Sequence, residues 1–212
     1  MSPEKPEGSE GAMTHTIGIL LFDDAEELDF AGPWEVFTAA AAARPGALRV
    51  VTIAERLDPV RCNKGLRVLP DHGFGDAPAL DVVVVPGGQG TRKEVENPVL
   101  MDWLRRTGER CAWVTSVCTG ALLLHGAGFA RGRRITTHWA FVPALRERAT
   151  DATVLDDVRY VQDGNVVTAA GVSAGIDMAL WLVGRLFDPA FARGVQRYIQ
   201  YDPAPPYSAE TS

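Results

Sequence analysis

Ala112-Trp-Val-Thr-Ser-Val-Cys-Thr-Gly-Ala121 passes from a β-rich run into a helical one, with a single cysteine, Cys118, at the junction. Ala112 to Val117 reads as a buried strand and Thr119 to about His125 as a helix. The residues two places either side of the cysteine, Ser116 and Gly120, are small. A strand that turns at once into a helix leaves no room for bulky flanks, so this spacing fits a nucleophile elbow. Such a turn lifts its side chain above the carboxyl ends of the strands, where open α/β sheets bind ligands. It also sets Cys118 at the positive end of a helix dipole, which is expected to lower the thiol pKa. The competing reading is a small buried hydrophobe, a common use of free cysteine.

Outward from this turn, short β-rich runs alternate with helical ones. Ile17 to Phe22 and Asp81 to Val85 are continuous apolar runs, as expected of strands covered on both faces, and Leu48 to Ala54 is a further strand. The first is followed by an acidic loop, Asp23 to Asp29, then by Gly32-Pro33 and an alanine-rich helix to about Ala43, with Pro33 near its first turn. Helices are predicted over Pro98 to Arg110, to Arg148, over Ser173 to Phe187 and over Pro189 to Tyr201. Asp163-Gly164-Asn165 marks a hairpin. The order predicts a single-domain α/β fold: a mostly parallel central sheet with helices on both faces, a flavodoxin-like sandwich with a nucleophile elbow. The domain is expected over 14–202, with a tail rich in Pro, Gly, Ser and Glu over 1–13 and a Pro-rich tail over 203–212.

The chain has 212 residues, 46% hydrophobic and 23% charged, with a formal charge of −6. An acidic balance argues against a nucleic-acid grip, which needs clustered Lys and Arg. The one dense basic run, Arg131-Gly-Arg-Arg134, is short and is placed on a solvated loop. No apolar run approaches membrane-spanning length. Cys62, Cys111 and Cys118 are too few and too irregular for a disulfide framework or a zinc site, and are read as reduced thiols in a cytoplasm. No metal-ligand spacing and no G-x-G-x-x-G run occurs, so neither a metal nor an organic cofactor is expected.

A thiol nucleophile needs a proton partner. Asp29 leaves the first strand at the carboxyl end of the sheet, where Cys118 also lies, so the two can meet in space. Read from residues alone, the helix N-cap is the favoured role for Asp29, and one aspartate can serve both. Glu26 and Glu27 are competing carboxylates placed on a solvated loop. Thr119 offers a hydroxyl to orient Asp29 or a water, and a backbone N–H for developing charge. Gly87 and Gly88, at the end of a central strand, let backbone N–H groups approach a ligand or simply serve the turn. Val172 and Ser173 precede a long helix, with Ser173 as its cap, and are expected to line the pocket.

The strings TSVCTGALLL, GRRITTHWA and DGNVVTAAGVSAGIDMAL, with ILLFDDAEELDFAGP and VVVVPGGQG before them and YDPAPPY after, resemble bacterial isocyanide hydratases of the ThiJ/PfpI superfamily. They also resemble amidase-like sensor domains of AraC-type regulators, whose helix-turn-helix module has no counterpart before Ser212. The resemblance spans Thr16 to Tyr207. It implies a cysteine nucleophile at Cys118, an aspartate at Asp29 facing it, a small-molecule substrate and a homodimer with the active site near the interface. Many superfamily proteases carry histidine where Thr119 stands, so a Cys-His dyad is not expected and His138 is read as structural, hydrogen-bonding across the elbow. Familiar hydratases have isoleucine at the position of Val172. The expected activity is hydration of an isocyanide to a formamide; the alternatives are a glyoxalase-like or other thiol-dependent hydrolysis, and a non-enzymatic ligand or oxidation sensor built on Cys118.

Overall fold

The computed structural model describes residues 14–204, so the expected tail over 1–13 and, apart from Pro203 and Ala204, the expected tail over 203–212 lie outside the described residues. In chain order the strands are β1 His15–Leu20, β2 Leu48–Ala54, β3 Val60–Arg61, β4 Arg67–Val68, β5 His72–Gly73, β6 Val82–Val85, β7 Trp113–Val117, β8 Arg134–Thr136, β9 Thr153–Leu155, β10 Tyr160–Asp163 and β11 Val166–Ala169. The helices are α1 Glu27–Ala43, α2 Thr91–Glu94, α3 Pro98–Gly108, α4 Gly120–Gly126, α5 Val142–Arg148, α6 Ala174–Leu186 and α7 Pro189–Tyr198.

Seven strands form one sheet in the order β10-β11-β7-β6-β1-β2-β5. Every pairing is parallel except β10 with β11, a hairpin that turns through Gly164-Asn165 with Gly164 at φ 61°. Two-stranded sheets, β3 with β4 and β8 with β9, flank it. The valines of β6 and the inner residues of β1 have no solvent exposure, which is why their sequence is continuously apolar rather than alternating. Helices α1, α6 and α7 pack together over one face of the sheet, while α3 and α4 lie against β6 and β7. No helix among the described residues is long and apolar enough to cross a membrane.

Two expectations are corrected. Helix α1 begins at Glu27, not after Gly32-Pro33, and Pro33 lies inside it. Pro33 has no N–H to give the carbonyl of Asp29, so this turn lacks one helical bond. Packing outweighs that loss: a Cβ at Gly32 would lie 2.9 Å from Ile176 Cγ1 of α6, so the helices meet closely here. The basic run is not a free loop either. Arg134 belongs to β8, and Arg133 Nη1 donates to the Asp163 carbonyl at 2.6 Å.

Strand β1 lies between β2 and β6, with Ile19 opposite Thr52 on one side and Val84 on the other. Ile19 is fully buried. An Ile19→Ala variant is expected to lose about 2–5 kcal/mol of stability, measured as a shift of the urea unfolding midpoint at unchanged slope.

Candidate active site

The carboxyl ends of three adjacent strands, β1, β6 and β7, deliver the site. Helix α1 follows β1 and carries Asp29; Gly87 and Gly88 follow β6; Cys118 follows β7 directly. Cys118 has φ 56°, a left-handed conformation that is uncommon for a residue with a Cβ. The surrounding backbone holds it there. Its N–H donates to the carbonyls of Ala169 and Ala170 at 3.1 and 2.9 Å, and its carbonyl accepts from Thr137 Oγ1 at 2.7 Å. Gly120 must be small, because a Cβ there would sit 2.3 Å from the Val85 carbonyl oxygen. The elbow geometry read from Ser116 and Gly120 is therefore present.

Gly87 is where the parts meet. A Cβ at this position would lie 2.8 Å from Asp29 Oδ2, 2.8 Å from Cys118 Cβ and 2.5 Å from Thr119 N. The carboxyl and the cysteine thus face each other across a residue with no side chain. Gly87 N donates to Asp29 Oδ2 at 2.8 Å, while Asp29 Oδ1 has no hydrogen-bond partner among the described residues. Asp29 stands in the first turn of α1 and Glu26 is the residue before the helix, so the N-cap reading of Asp29 does not hold.

Burial pushes the Asp29 carboxyl up to about 7, opposed by the Gly87 N–H. Cys118 moves in the direction opposite to that expected of a helix start. Burial and the facing Asp29 carboxylate push its thiol up to about 12, against the pull of the nearby Thr119 and Val172 backbone. Helix α4 has only seven residues, and desolvation of the sulfur outweighs what its dipole offers. Burial likewise raises Cys62 and Cys111, to about 11 and about 12, and both lie in the core.

Of the remaining candidates Val172 takes the place expected of it, and the others take different parts. Thr119 does not bond Asp29. Its Oγ1 accepts from Gly88 N at 3.0 Å and lies 3.2 Å from Thr91 Oγ1. The N–H groups of Gly87 and Gly88 are therefore spent on Asp29 and Thr119 rather than turned toward a ligand. Val172 lines the cavity beside Cys118 and, though β-branched, has φ 46°. Ser173 stands before α6 without a capping bond, and its Oγ accepts from Arg159 Nη2 at 3.3 Å in a different cavity. His138 does not bond across the elbow. Its Nδ1 accepts from Ala140 N at 3.2 Å, and its neighbour Thr137 holds the Cys118 carbonyl instead. Glu26 and Glu27 are half-buried and paired with Lys64 rather than solvated.

The cavity over Cys118 has a volume of about 470 Å³, and Glu26, Lys64, Arg92, Thr119, Phe141 and Val172 are among its walls. Arg92 and Phe141 went unnoticed in the sequence, where Arg92 sits in a charged run with no motif around it. Among the described residues no three His, Cys, Asp or Glu side chains are grouped to hold a metal ion.

A mostly parallel sheet with a cysteine at a strand-to-helix elbow, faced by a carboxyl group, defines a single-domain α/β protein. Residues 15–185 match the DJ-1/PfpI family, and the chain belongs to it. An isonitrile hydratase of Pseudomonas putida is 39% identical over 197 residues, covering 93% of this chain and 83% of that one. A glutathione-independent glyoxalase, DJR-1.2, of Caenorhabditis elegans is 28% identical over 182 residues, covering 84% and 91%. The crystal structure of a ThiJ/PfpI family protein from Pseudomonas syringae superposes with a TM-score of 0.85 at 31% identity, covering 100% of this chain and 86% of that one.

Asp29 binds its proton more tightly in the fold than in the unfolded chain, so stability falls as pH rises from 3.8 to about 7. Asparagine at this position keeps an acceptor for the Gly87 N–H and carries no charge. Asp29→Asn is expected to be more stable than wild type at pH 8, by on the order of a few kcal/mol. Urea midpoints should show that advantage shrinking by pH 4.

Proposed function

We propose that the protein hydrates an isocyanide to an N-substituted formamide, with Cys118 as nucleophile and Asp29 as proton carrier. One observation carries this reading: an acid of shifted pKa, held by Gly87 N with its second oxygen unpaired, faces the cysteine. Similarity to an isonitrile hydratase supports the same chemistry, since isonitrile and isocyanide name one functional group.

The raised thiol pKa means that Cys118 rests protonated, so attack and proton loss are concerted. The sulfur bonds the terminal carbon of R–N≡C as Asp29 takes the thiol proton. Asp29 then passes that proton to the carbon lone pair, giving R–N=CH–S on the enzyme. Water adds to this thioimidate carbon. One of its protons goes to nitrogen, the C–S bond breaks, and the other returns to sulfur by way of Asp29. R–NH–CHO leaves and the thiol is restored. Asp29, near 7, can both accept and donate around neutral pH. Thr119 and Gly88 brace the turn rather than carry protons. The protein is further proposed to work in the cytoplasm, where its thiols stay reduced, and as a homodimer, for which light scattering should give twice the chain mass.

A second reading is glyoxalase-like action on a small aldehyde, supported by the likeness to a glyoxalase. The two separate when cyclohexyl isocyanide and methylglyoxal are assayed side by side. Formamide is expected from the first, with kcat/KM rising with pH through about 7 as Asp29 ionises. Cys118→Ala should abolish turnover, and Asp29→Asn should lower it by about 10²–10⁴-fold. No formamide, or full activity in Cys118→Ala, would remove the hydratase reading.

A further inference from the structure

Arg92 is a cation in the cavity without a counter-charge. Two arginines among the described residues are half-buried, Arg92 and Arg133. Arg133 has Asp163 at 4.0 Å, whereas Arg92 has no carboxylate at ion-pair distance among the described residues. The guanidinium is nonetheless fixed. It lies over the Phe141 ring at 4.5 Å, and Nη1 donates to the Gly88 carbonyl at 2.8 Å. The same nitrogen reaches Thr91 Oγ1 at 3.1 Å and Thr119 Oγ1 at 3.3 Å, beside the nucleophile. These bonds use Nη1 alone. Nε and Nη2 have no protein partner among the described residues, and together they form an edge that matches a carboxylate in bidentate fashion.

The cavity's own carboxylate does not fill that role. Glu26 is bonded by Lys64 Nζ and by Asn63 Nδ2 at 3.1 Å. Burial of Arg92 without a partner disfavours its charged form, and an anion entering the cavity would relieve that cost. Phe141, Ala140 and Val172 add apolar wall to the cavity that holds the guanidinium and the thiol.

We propose that the substrate carries a carboxylate: an α-isocyano acid, with its isocyanide carbon at Cys118 Sγ and its carboxylate on Arg92. The inference rests on the hydratase reading and adds the substrate class to it.

Isocyanoacetate and its methyl ester differ in that charge and test the point. Wild type is expected to prefer the acid by about tenfold or more in kcat/KM, the scale of a charge-assisted bidentate contact. Arg92→Met should bring the acid-to-ester ratio near one, and Arg92→Lys should restore part of it. A wild-type ratio near one would overturn the proposal. So would a preference that survives in Arg92→Met, since Arg92 would then serve the sulfur and not the substrate. Calorimetric titration of Cys118→Ala with N-formylglycine and its methyl ester needs no turnover. Tighter binding of the acid, lost when Arg92→Met is added, supports carboxylate recognition even if no isocyanide is hydrated; that pair of results would remove the hydratase reading alone. Equal binding of acid and ester would remove carboxylate recognition whatever isocyanides do.

Discussion

One hydrogen bond, from the backbone N–H of Gly87 to Asp29 Oδ2, ties the site together. It joins the helix after β1 to the turn after β6, and a side chain on Gly87 would crowd it, with a Cβ 2.8 Å from Asp29 Oδ2. The β7 turn approaches the same residue with Cys118 and Thr119. Three strand ends that are neighbours in the sheet are far apart in the chain, and the parallel pairing of β1, β6 and β7 brings them together.

Burial gives the pair its chemistry. A carboxyl and a thiol each resist losing a proton in a dry setting; the Asp29 carboxylate pushes the thiol further up, while the neutral thiol beside it pulls the carboxyl down. The outcome is a pair that rests with its sulfur protonated and its acid titrating near neutrality. A proton leaving sulfur therefore has an acceptor within the site, one of whose oxygens the fold leaves unpaired. That oxygen is an energetic cost in the resting protein and the acceptor that the proposed proton transfer would use.

Strain is confined to where it is supported. Cys118 and Val172 both hold left-handed backbone angles beside the same cavity. At Cys118 the backbone is paired on both sides of the residue, to Ala169, Ala170 and Thr137, so the conformation is set by the strands and loops around it rather than by its own preference. Around this frame Arg92 lies on Phe141 and buttresses Gly88 and Thr119, setting a cation against the cavity's aromatic wall.

Much of this was legible in the chain itself. Continuous apolar runs such as Val82–Val85 mark strands covered on both faces, because a doubly buried strand has no polar face to alternate with. The small residues flanking Cys118 mark the elbow, because steric limits at a tight turn act within a few residues. What the sequence could not state is every relation that crosses the sheet: that α1 begins before Asp29, that Thr119 serves Gly88 rather than Asp29, that Thr137 and not His138 holds the elbow, and that Arg92 enters the cavity. The thiol pKa belongs with these. A helix start is visible in local sequence, but desolvation and a facing carboxylate come from distant segments, and in a buried site those outweigh a seven-residue helix. Local sterics and periodicity are written along the chain; proton affinities and counter-charges depend on who ends up next to whom, which only folding decides.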